Sequence, residues 1–294
     1  TAGAGADTIT GGAGADNFVY TVTTSNVTTD SISTAKDTIT DFTDKSDNLN
    51  ITVSLANGNQ TVDYNDKGDA ASVADGLSLL GGVKGQYFFD TTNSQVVFDL
   101  DGNGLIQSSD LMISLTGATG ITESDVNITL NGGTGDDTIT TGDGNDVIDA
   151  GAGDDSINAG GGSDKFVQAN GDSTAPSAKT TADGANFAAA DTLTFGNGVD
   201  TITGFTPATD SIDVTTAGAA VTAIGVAENS LTATKTLFLS GAFNTGTGVF
   251  TIAADGTGAD TLIFDTVDTD IMANDTAIVL IGVDSDDLGA ANFI

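Results

Sequence analysis

The chain has 294 residues and carries 41 acidic residues against seven lysines, for a formal net charge of −34. Nucleic-acid binding needs clustered basic residues, so the charge excludes nucleic acid as a partner and also disfavours docking on an anionic membrane. The absence of histidine and cysteine excludes disulfides, thiolate chemistry, serine and cysteine triads and most zinc sites. No apolar run has membrane-spanning length, so we expect no direct membrane insertion.

The first predicted elements are two nine-residue units, AGAGADTIT and GGAGADNFV, over residues 2–19. Each has glycine at places 2 and 4, aspartate at place 6 and a large apolar residue at place 8. Glycine accepts the positive φ of tight turns, and the place-8 residues Ile9 and Phe18 predict very short strands that face a core. The aspartates are Asp7 and Asp16, and the glycines are Gly3, Gly5, Gly12 and Gly14.

The next elements are predicted to be mostly β. Residues 37–51 read DTITDFTDKSDNLNI, and residues 66–83 are the best candidate for one short helix. The later runs QVVFDL and LMISL are rich in β-branched and apolar residues, which is typical of strands between turns.

An acidic loop, DLDGNGLIQSSD, separates these two strand-like runs over residues 99–110. Asp99, Asp101, Asn103 and Asp110 have nearly the spacing of an EF-hand calcium loop, with glycine at its sixth place. The flanks resemble strands rather than paired helices, so an EF-hand is not predicted. The two interpretations are a calcium site and a hairpin turn without metal.

Four further units, GGTGDDTIT, TGDGNDVID, AGAGDDSIN and AGGGSDKFV, run over residues 132–167. Two units make one coil with turns on opposite sides, so each unit is predicted to stack on the unit two places along. Asp137 then lies near Asp155, and Asp146 near Asp164, where like charges repel strongly in a partly dry site. Calcium best removes this repulsion, because it accepts irregular shells of roughly six to eight oxygens. The glycine places are Gly133, Gly135, Gly142, Gly144, Gly151, Gly153, Gly160 and Gly162.

Some units depart from the pattern. Ala2, Thr141, Ala150 and Ala159 replace the first glycine, which is acceptable if that place keeps a negative φ. Lys165 follows Asp164 directly, and we expect it to weaken or cap the last site. A degenerate unit over residues 195–203 keeps Asp200 in register and suggests that the roll resumes after an insertion.

These units resemble the glycine-rich nonapeptide of RTX proteins, a calcium-binding parallel β-helix repeat. The resemblance implies an all-β fold: calcium-stabilised parallel β-roll segments with flanking β-strand or sandwich-like regions. It also implies several bound Ca2+ ions and export by a Gram-negative type I system. The exported chain would then fold outside the cell when it binds calcium. The C-terminal end LGAANFI resembles the family's export signal. A flexible Gly/Asp-rich linker is the alternative interpretation, which the strict register disfavours.

The chain reads as a tandem duplication, with modules predicted over residues 1–130 and 131–294. The segment DTITDFTDKSDNLNI returns as DTITGFTPATDSIDV at residues 200–214, and residues 87–128 align with residues 249–294. The second copy of the acidic loop, residues 265–275, has lost its Gly-x-Gly spacing and predicts a weaker site.

Two functions fit this pattern. The first is a calcium-binding, self-assembling protein of the cell surface, an S-layer or filament subunit, and the second is the C-terminal module of a larger adhesin or exported enzyme. Nearly all aspartates lie in repeat turns, so we expect no catalysis within this chain. The expected partners are copies of the chain itself, with a surface polysaccharide as a further candidate.

Overall fold

The computed structural model describes residues 5–23, 31, 34–169, 171–173, 176–180, 189–195, 198–214, 235–254, 256–266 and 276–294. The strands of the first half are β1 (Thr8–Ile9), β2 (Asn17–Thr23), β3 (Asp37–Ile39), β4 (Asn48–Ser54), β5 (Thr61–Asp63), β6 (Asp66–Ala70), β7 (Tyr87–Asp90), β8 (Gln95–Phe98), β9 (Leu111–Leu115) and β10 (Val126–Asn131). Those of the second half are β11 (Thr138–Thr140), β12 (Val147–Asp149), β13 (Ser156–Asn158), β14 (Lys165–Gln168), β15 (Ala178–Thr180), β16 (Thr192–Thr194), β17 (Asp200–Thr203), β18 (Ser211–Val214), β19 (Lys235–Asn244), β20 (Val249–Ile252), β21 (Asp260–Thr266) and β22 (Thr276–Ile281). The fold is all-β, as predicted.

Helical structure is short. The helix α1 (Val73–Leu77) lies inside the predicted segment 66–83, and the Ser72 hydroxyl caps it by accepting the Asp75 amide at 3.2 Å. In the part of the chain that the structure describes, three 3₁₀ helices span Glu123–Asp125, Ser285–Asp287 and Ala290–Asn292. Within the described ranges, no helix has the length and apolar character needed to cross a membrane.

One face of the roll is a sheet of six parallel strands in the order β2-β4-β10-β12-β14-β18. Place 8 of every second unit lies on its inner side: Ile148 is in register with Phe166, and both are buried. The six strands appear in this sheet in chain order. Each coil of the roll therefore contributes one strand to this face.

The opposite face is formed by the parallel parts of two sheets. One sheet has the order β1-β3-β9-β8-β7-β6, and the other has the order β15-β16-β20-β19-β21-β22-β17-β13-β11-β5. Strands β1, β3 and β9 are parallel, as are β5, β11, β13, β17 and β22. Their inward side chains, such as Ile39, Ile139 and Ile202, share one buried cluster with Phe166 and Ile148 of the first sheet.

The predicted stacking of each unit on the unit two places along is confirmed. Ile139 of β11 is in register with Ile157 of β13, eighteen residues away. The degenerate unit also resumes the roll, because Ile157 is next in register with Ile202 of β17. The insertion between β14 and β17 therefore leaves the stacking of the coils intact.

A long excursion interrupts the regular coils between β4 and β10. The chain passes from β4 to β5, which pairs with β11 rather than with β3. It then returns through the antiparallel strands β7, β8 and β9, and β9 pairs with β3. This path places β9 beside β3 and brings Lys84 beside Val62 of β5.

The predicted module boundary, between residues 130 and 131, falls within β10. That strand pairs with β4 on one side and with β12 on the other, so backbone pairing is continuous across the boundary. The two halves nevertheless repeat one arrangement: β3 pairs with β9 and then β8, and β17 pairs with β22 and then β21. By sequence, β20 and β21 correspond to β7 and β8. One difference is that β7 pairs directly with β8, whereas β19 lies between β20 and β21. The duplication and its boundaries stay a prediction.

The antiparallel strands bury apolar side chains on both sides. Phe88, Val97 and Met112 form a small cluster beneath α1, against which Val73 and Leu77 pack. A second cluster on β16 and β19–β22 includes Phe195, Phe250 and Phe264. These clusters give the flanks of the roll a sandwich-like character.

Candidate metal centre

The aspartates at place 6 link successive coils through one carboxylate oxygen. Oδ1 of Asp155 accepts the amide of Asp137 at 2.7 Å, and Oδ1 of Asp164 accepts the amide of Asp146 at 3.0 Å. The amide of Asp155 in turn donates to Oδ1 of Asp200 at 3.1 Å. The predicted proximity of Asp137 to Asp155 and of Asp146 to Asp164 is thereby confirmed.

The other carboxylate oxygen has no such partner. Among the described residues, Oδ2 makes no hydrogen bond in Asp137, Asp146, Asp155, Asp164 and Asp200, although all five oxygens are buried. A buried carboxylate oxygen without a partner costs free energy, and an anionic one costs more. A hard cation removes this cost, so the donor set fits calcium, which prefers oxygen ligands.

The same aspartates hold their protons unusually well when no metal is bound. Burial raises the pKa of Asp137 to about 6, of Asp155 and Asp164 to about 7 and of Asp146 to about 8. Burial also raises the pKa of Asp200 well above its usual value, and the neighbouring charge of Asp155 adds to this shift. Between about pH 6 and pH 8, protons and a cation therefore compete for these carboxylates.

The glycines are required by both φ and space. Gly133, Gly151 and Gly160 have φ values of 87°, 86° and 84°, which favour glycine. A side chain on Gly151 would collide with the carbonyl oxygen of Gly133, and one on Gly160 with that of Gly142. Turn carbonyls are thus stacked closely along the roll, where they can serve as further cation ligands.

Two features of the turns refine the sequence pattern. Gly144 does not have a positive φ, unlike the other described place-2 and place-4 glycines, and is required because a side chain there would collide with the Val126 carbonyl. Thr141, Ala150 and Ala159 at place 1 avoid positive φ, which is the condition for replacing glycine there, while Ala2 lies outside the described residues.

The first two units lie at the end of the roll. Asp7 and Asp16 are only partly buried, and their amides donate to Oδ1 of Asp37 and Asp47 at 2.8 Å and 3.0 Å. Gly5, Gly12 and Gly14 have the positive φ of their counterparts. Gly3 lies outside the described residues.

Three aspartates occupy place-6 positions that the repeat pattern alone did not identify: Asp37, Asp47 and Asp210. Asp210 accepts the Asp164 amide through Oδ1 at 3.1 Å and the Thr206 amide through Oδ2 at 2.7 Å. Asp47 accepts the amides of Asp16 and Thr43 in the same way. The signal in the sequence is an aspartate two residues before a core residue, as in DTI, DNL and DSI, without the preceding glycines.

Lys165 does not cap the last site. Its ammonium group forms an ion pair with Oδ2 of Asp213 at 2.6 Å. Because Asp213 lies on β18 next to β14, the lysine side chain points along the outer face of the sheet. The expectation that Lys165 caps the last site is therefore wrong, and the expectation that it weakens the site stays a prediction.

The acidic loop at residues 99–110 joins the strands β8 and β9, so its flanks are strands, as predicted. Carboxylate oxygens of Asp99, Asp101 and Asp110 lie within 4.8 Å of one another. Burial raises the pKa of Asp110 to about 6, and the charges of Asp101 and Asp99 add to the shift. Three converging carboxylates repel one another, and a cation would relieve that repulsion.

The loop also has internal hydrogen bonds that hold it without a metal. Asp99 accepts the amides of Gly102 and Gly104, each at 2.8 Å. The side chain of Asn103 accepts the Leu105 amide at 2.7 Å. The counterpart loop, residues 265–275, lies largely outside the described residues.

Comparison with known families agrees with this geometry. Residues 131–166 match the RTX calcium-binding nonapeptide repeat, in four copies. Residues 1–128 match the C-terminal domain of the M10 peptidase serralysin, which is a non-catalytic part of those metalloproteases. No curated protein matches the chain significantly. RTX repeats bind calcium ions, and both kinds of domain belong to proteins secreted by type I systems.

Proposed function

Since the chain is an RTX repeat protein, calcium-binding and exported, we propose that it is a structural protein that assembles with its own copies at the cell surface. In this proposal it folds when it meets calcium outside the cell and forms an S-layer or filament. The observation that carries the calcium-dependent step is the row of buried, unpartnered Oδ2 atoms on Asp137, Asp146, Asp155, Asp164 and Asp200.

We assign calcium binding to the turns in detail as follows. Oδ2 of the place-6 aspartates and the stacked carbonyls of the place-2 and place-4 glycines supply the ligands within residues 132–164. Asp7 and Asp16 supply the equivalent ligands at the end of the roll. Asp99, Asp101, Asn103 and Asp110 form a separate site in the β8–β9 loop. These assignments rest on burial, convergence and the oxygen chemistry of the donors.

One observation supports assembly. Residues 1–128 match a serralysin-type C-terminal domain and residues 131–166 match a block of RTX repeats, so the chain carries two RTX-type regions that can offer several contact faces.

The second candidate is the C-terminal module of a larger adhesin or exported enzyme. The match of residues 1–128 to serralysin favours it, because that domain accompanies a catalytic domain in those peptidases. In either case we propose that this chain has no active site of its own.

Electron microscopy of the purified chain distinguishes the two candidates. With millimolar calcium we expect ordered sheets or filaments, which disappear when the calcium is chelated and return when it is restored. A chain that binds calcium but stays monomeric at high concentration would contradict assembly and favour the module. If circular dichroism and hydrodynamic radius did not change when the calcium is chelated, calcium-dependent folding itself would be contradicted.

A further inference from the structure

Part of one outer face of the roll carries no charge. The strands β2, β4 and β10 lie side by side, and their sequences NFVYTVT, NLNITVS and VNITLN contain no acidic or basic residue. This is unusual in a chain with 41 acidic residues. We call the outward side chains of these three strands the neutral face.

The neutral face is regular because the three strands are parallel and in register. Thr21, Thr52 and Thr129 form one row across the strands, and Val19, Asn50 and Asn127 form the row beside it. The Asn127 amide group donates to the Asn50 side-chain oxygen at 2.9 Å, which fixes both. Rows of hydroxyl and amide groups thus repeat about every 4.8 Å across the strands.

The face is also open to solvent. Thr21 and Thr129 are exposed, and Thr52 between them is half-buried. Their neighbours along the strands, Tyr20 and Ile128, are buried in the core. Beyond β10 the outer face becomes charged again, with Asp149 on β12 and the Lys165–Asp213 ion pair. The uncharged surface is therefore limited to the three strands β2, β4 and β10.

We propose that the neutral face is a contact surface between two copies of this chain, packed face to face. This inference rests on the proposed function and names one of its contacts. Two chains of charge −34 repel each other, and the repulsion is least where neither presents a carboxylate. A neutral face that meets its own copy also leaves no ion buried without a partner. Such a contact between identical patches is self-complementary about a two-fold axis.

The size of the face indicates a weak contact. Three strands of six or seven residues cover roughly 14 Å by 20 Å, which is well below the ~800 Å² per partner of a typical stable complex. The contact should therefore hold in an assembly, where several contacts act together, and not as an isolated dimer in dilute solution.

The test places charge on the face. The double substitution Thr52→Asp and Thr129→Asp should raise the concentration needed for calcium-dependent assembly about tenfold or more, equivalent to ~1.4 kcal/mol. The neutral pair Thr52→Asn and Thr129→Asn should assemble as the unmodified chain does. As the matched control, Thr61→Asp and Thr251→Asp add the same charge to exposed threonines on other strands. Calcium-dependent circular dichroism establishes that each variant folds.

A charge-reversal experiment sharpens the result. The lysine pair Thr52→Lys and Thr129→Lys, mixed with the aspartate pair, should restore assembly at low salt, since opposite charges then meet. Acidic variants that assemble at the unmodified concentration would overturn the inference. The inference would also be overturned if the acidic variants assembled normally but lost the ability to co-sediment with an insoluble neutral glucan. The face would then bind polysaccharide rather than a second copy.

Cross-linking separates this inference from the proposed function. The chain has no cysteine, so Thr52→Cys introduces one thiol at the middle of the face, and Thr61→Cys serves as its control. In concentrated calcium-loaded chain, oxidation should link the Thr52→Cys variant into dimers faster than the control. If no lattice or filament forms, the assembly proposal fails, yet preferential linkage through residue 52 still supports the contact. Equal linkage of the two variants overturns it.

Discussion

The amide of Asp137 donates a hydrogen bond of 2.7 Å to Oδ1 of Asp155, eighteen residues further along the chain. The second oxygen of Asp155 is buried and lacks a hydrogen bond within the described structure. One atom of the carboxylate thus holds two coils together, while the other remains for a cation. Because one side chain has both roles, we expect the fold to depend on its ion.

Removal of calcium should unfold the roll once the buried aspartates have lost their protons. Each site contributes about 1.4 kcal/mol when calcium is tenfold above its dissociation constant, and several such sites match the usual ~5–15 kcal/mol stability of a domain. At pH 9, above the raised pKa values of these aspartates, titration with a chelator should therefore abolish the β-type circular dichroism and increase the hydrodynamic radius. Magnesium at equal concentration is the control and should restore far less structure, because it prefers strict octahedral shells.

Without calcium, stability should fall as the pH rises. The pKa values of Asp137, Asp155, Asp164 and Asp146 lie at about 6 to about 8 in the fold, against 3.8 for an ordinary aspartate. The folded chain therefore binds more protons than the unfolded chain between about pH 4 and pH 8, and its free energy of unfolding decreases across that window. Urea denaturation in chelator should show this slope, and a stability that increases from pH 5 to pH 8 would contradict it.

Calcium binding should release protons in the same pH window. At pH 7 the metal displaces the protons that the buried aspartates retain, so calcium affinity should rise with pH. Calorimetry at pH 7 in two buffers of different ionisation enthalpy measures the number of protons released. At pH 9 the release should be close to zero, and an equal release at both pH values would exclude these aspartates as its source.

Replacement of Asp155 by asparagine should act in opposite directions with and without calcium. Asp155→Asn keeps a side-chain oxygen for the Asp137 amide but removes the buried charge, so the calcium-free fold should gain stability at pH 8. The calcium-dependent gain should shrink by about 1.4 kcal/mol for one lost site. Thermal denaturation with and without calcium measures both effects. The control, Asp287→Asn, changes an exposed aspartate and should alter neither.

Substitution of Gly151 should prevent close stacking of the coils. A side chain there would collide with the Gly133 carbonyl, and φ is 86°. We expect Gly151→Ala to lower calcium-loaded stability by more than the ~1–2 kcal/mol of backbone strain alone. Gly117→Ala isolates that strain, because Gly117 has a φ of 85° with open space around it. Equal losses of stability in denaturant titrations would show that the collision is unimportant.

The β8–β9 loop should bind one calcium ion independently of the turns. Asp110→Asn should reduce the calorimetric stoichiometry by one and leave the calcium-dependent folding of the roll in place, since this carboxylate lies outside the stacked coils. An unchanged stoichiometry would favour the metal-free hairpin, whose hydrogen bonds to Asp99 are already complete.

The sequence by itself determined the repeating pattern of the coil and the stacking of its residues. Nine-residue spacing alone predicts that Ile139 stacks on Ile157 and that Asp137 lies near Asp155, because every atom involved is positioned by local turns of fixed length. Composition likewise determined the oxygen-rich, histidine-free chemistry of the sites. None of these inferences needed a contact between distant segments.

Only the tertiary structure decided where the irregular segments join the roll. The amide of Gln60 donates a hydrogen bond to Asp137, which lies 77 residues further along the chain. The amide of Asp164 donates one to Asp210, which lies 46 residues further along. Neither distance follows from a repeat, because inserted loops change the sequence separation without changing the hydrogen bonds between coils. The neutral face arises in the same way: β2, β4 and β10 become neighbours through backbone pairing, which brings together side chains that no local pattern connects.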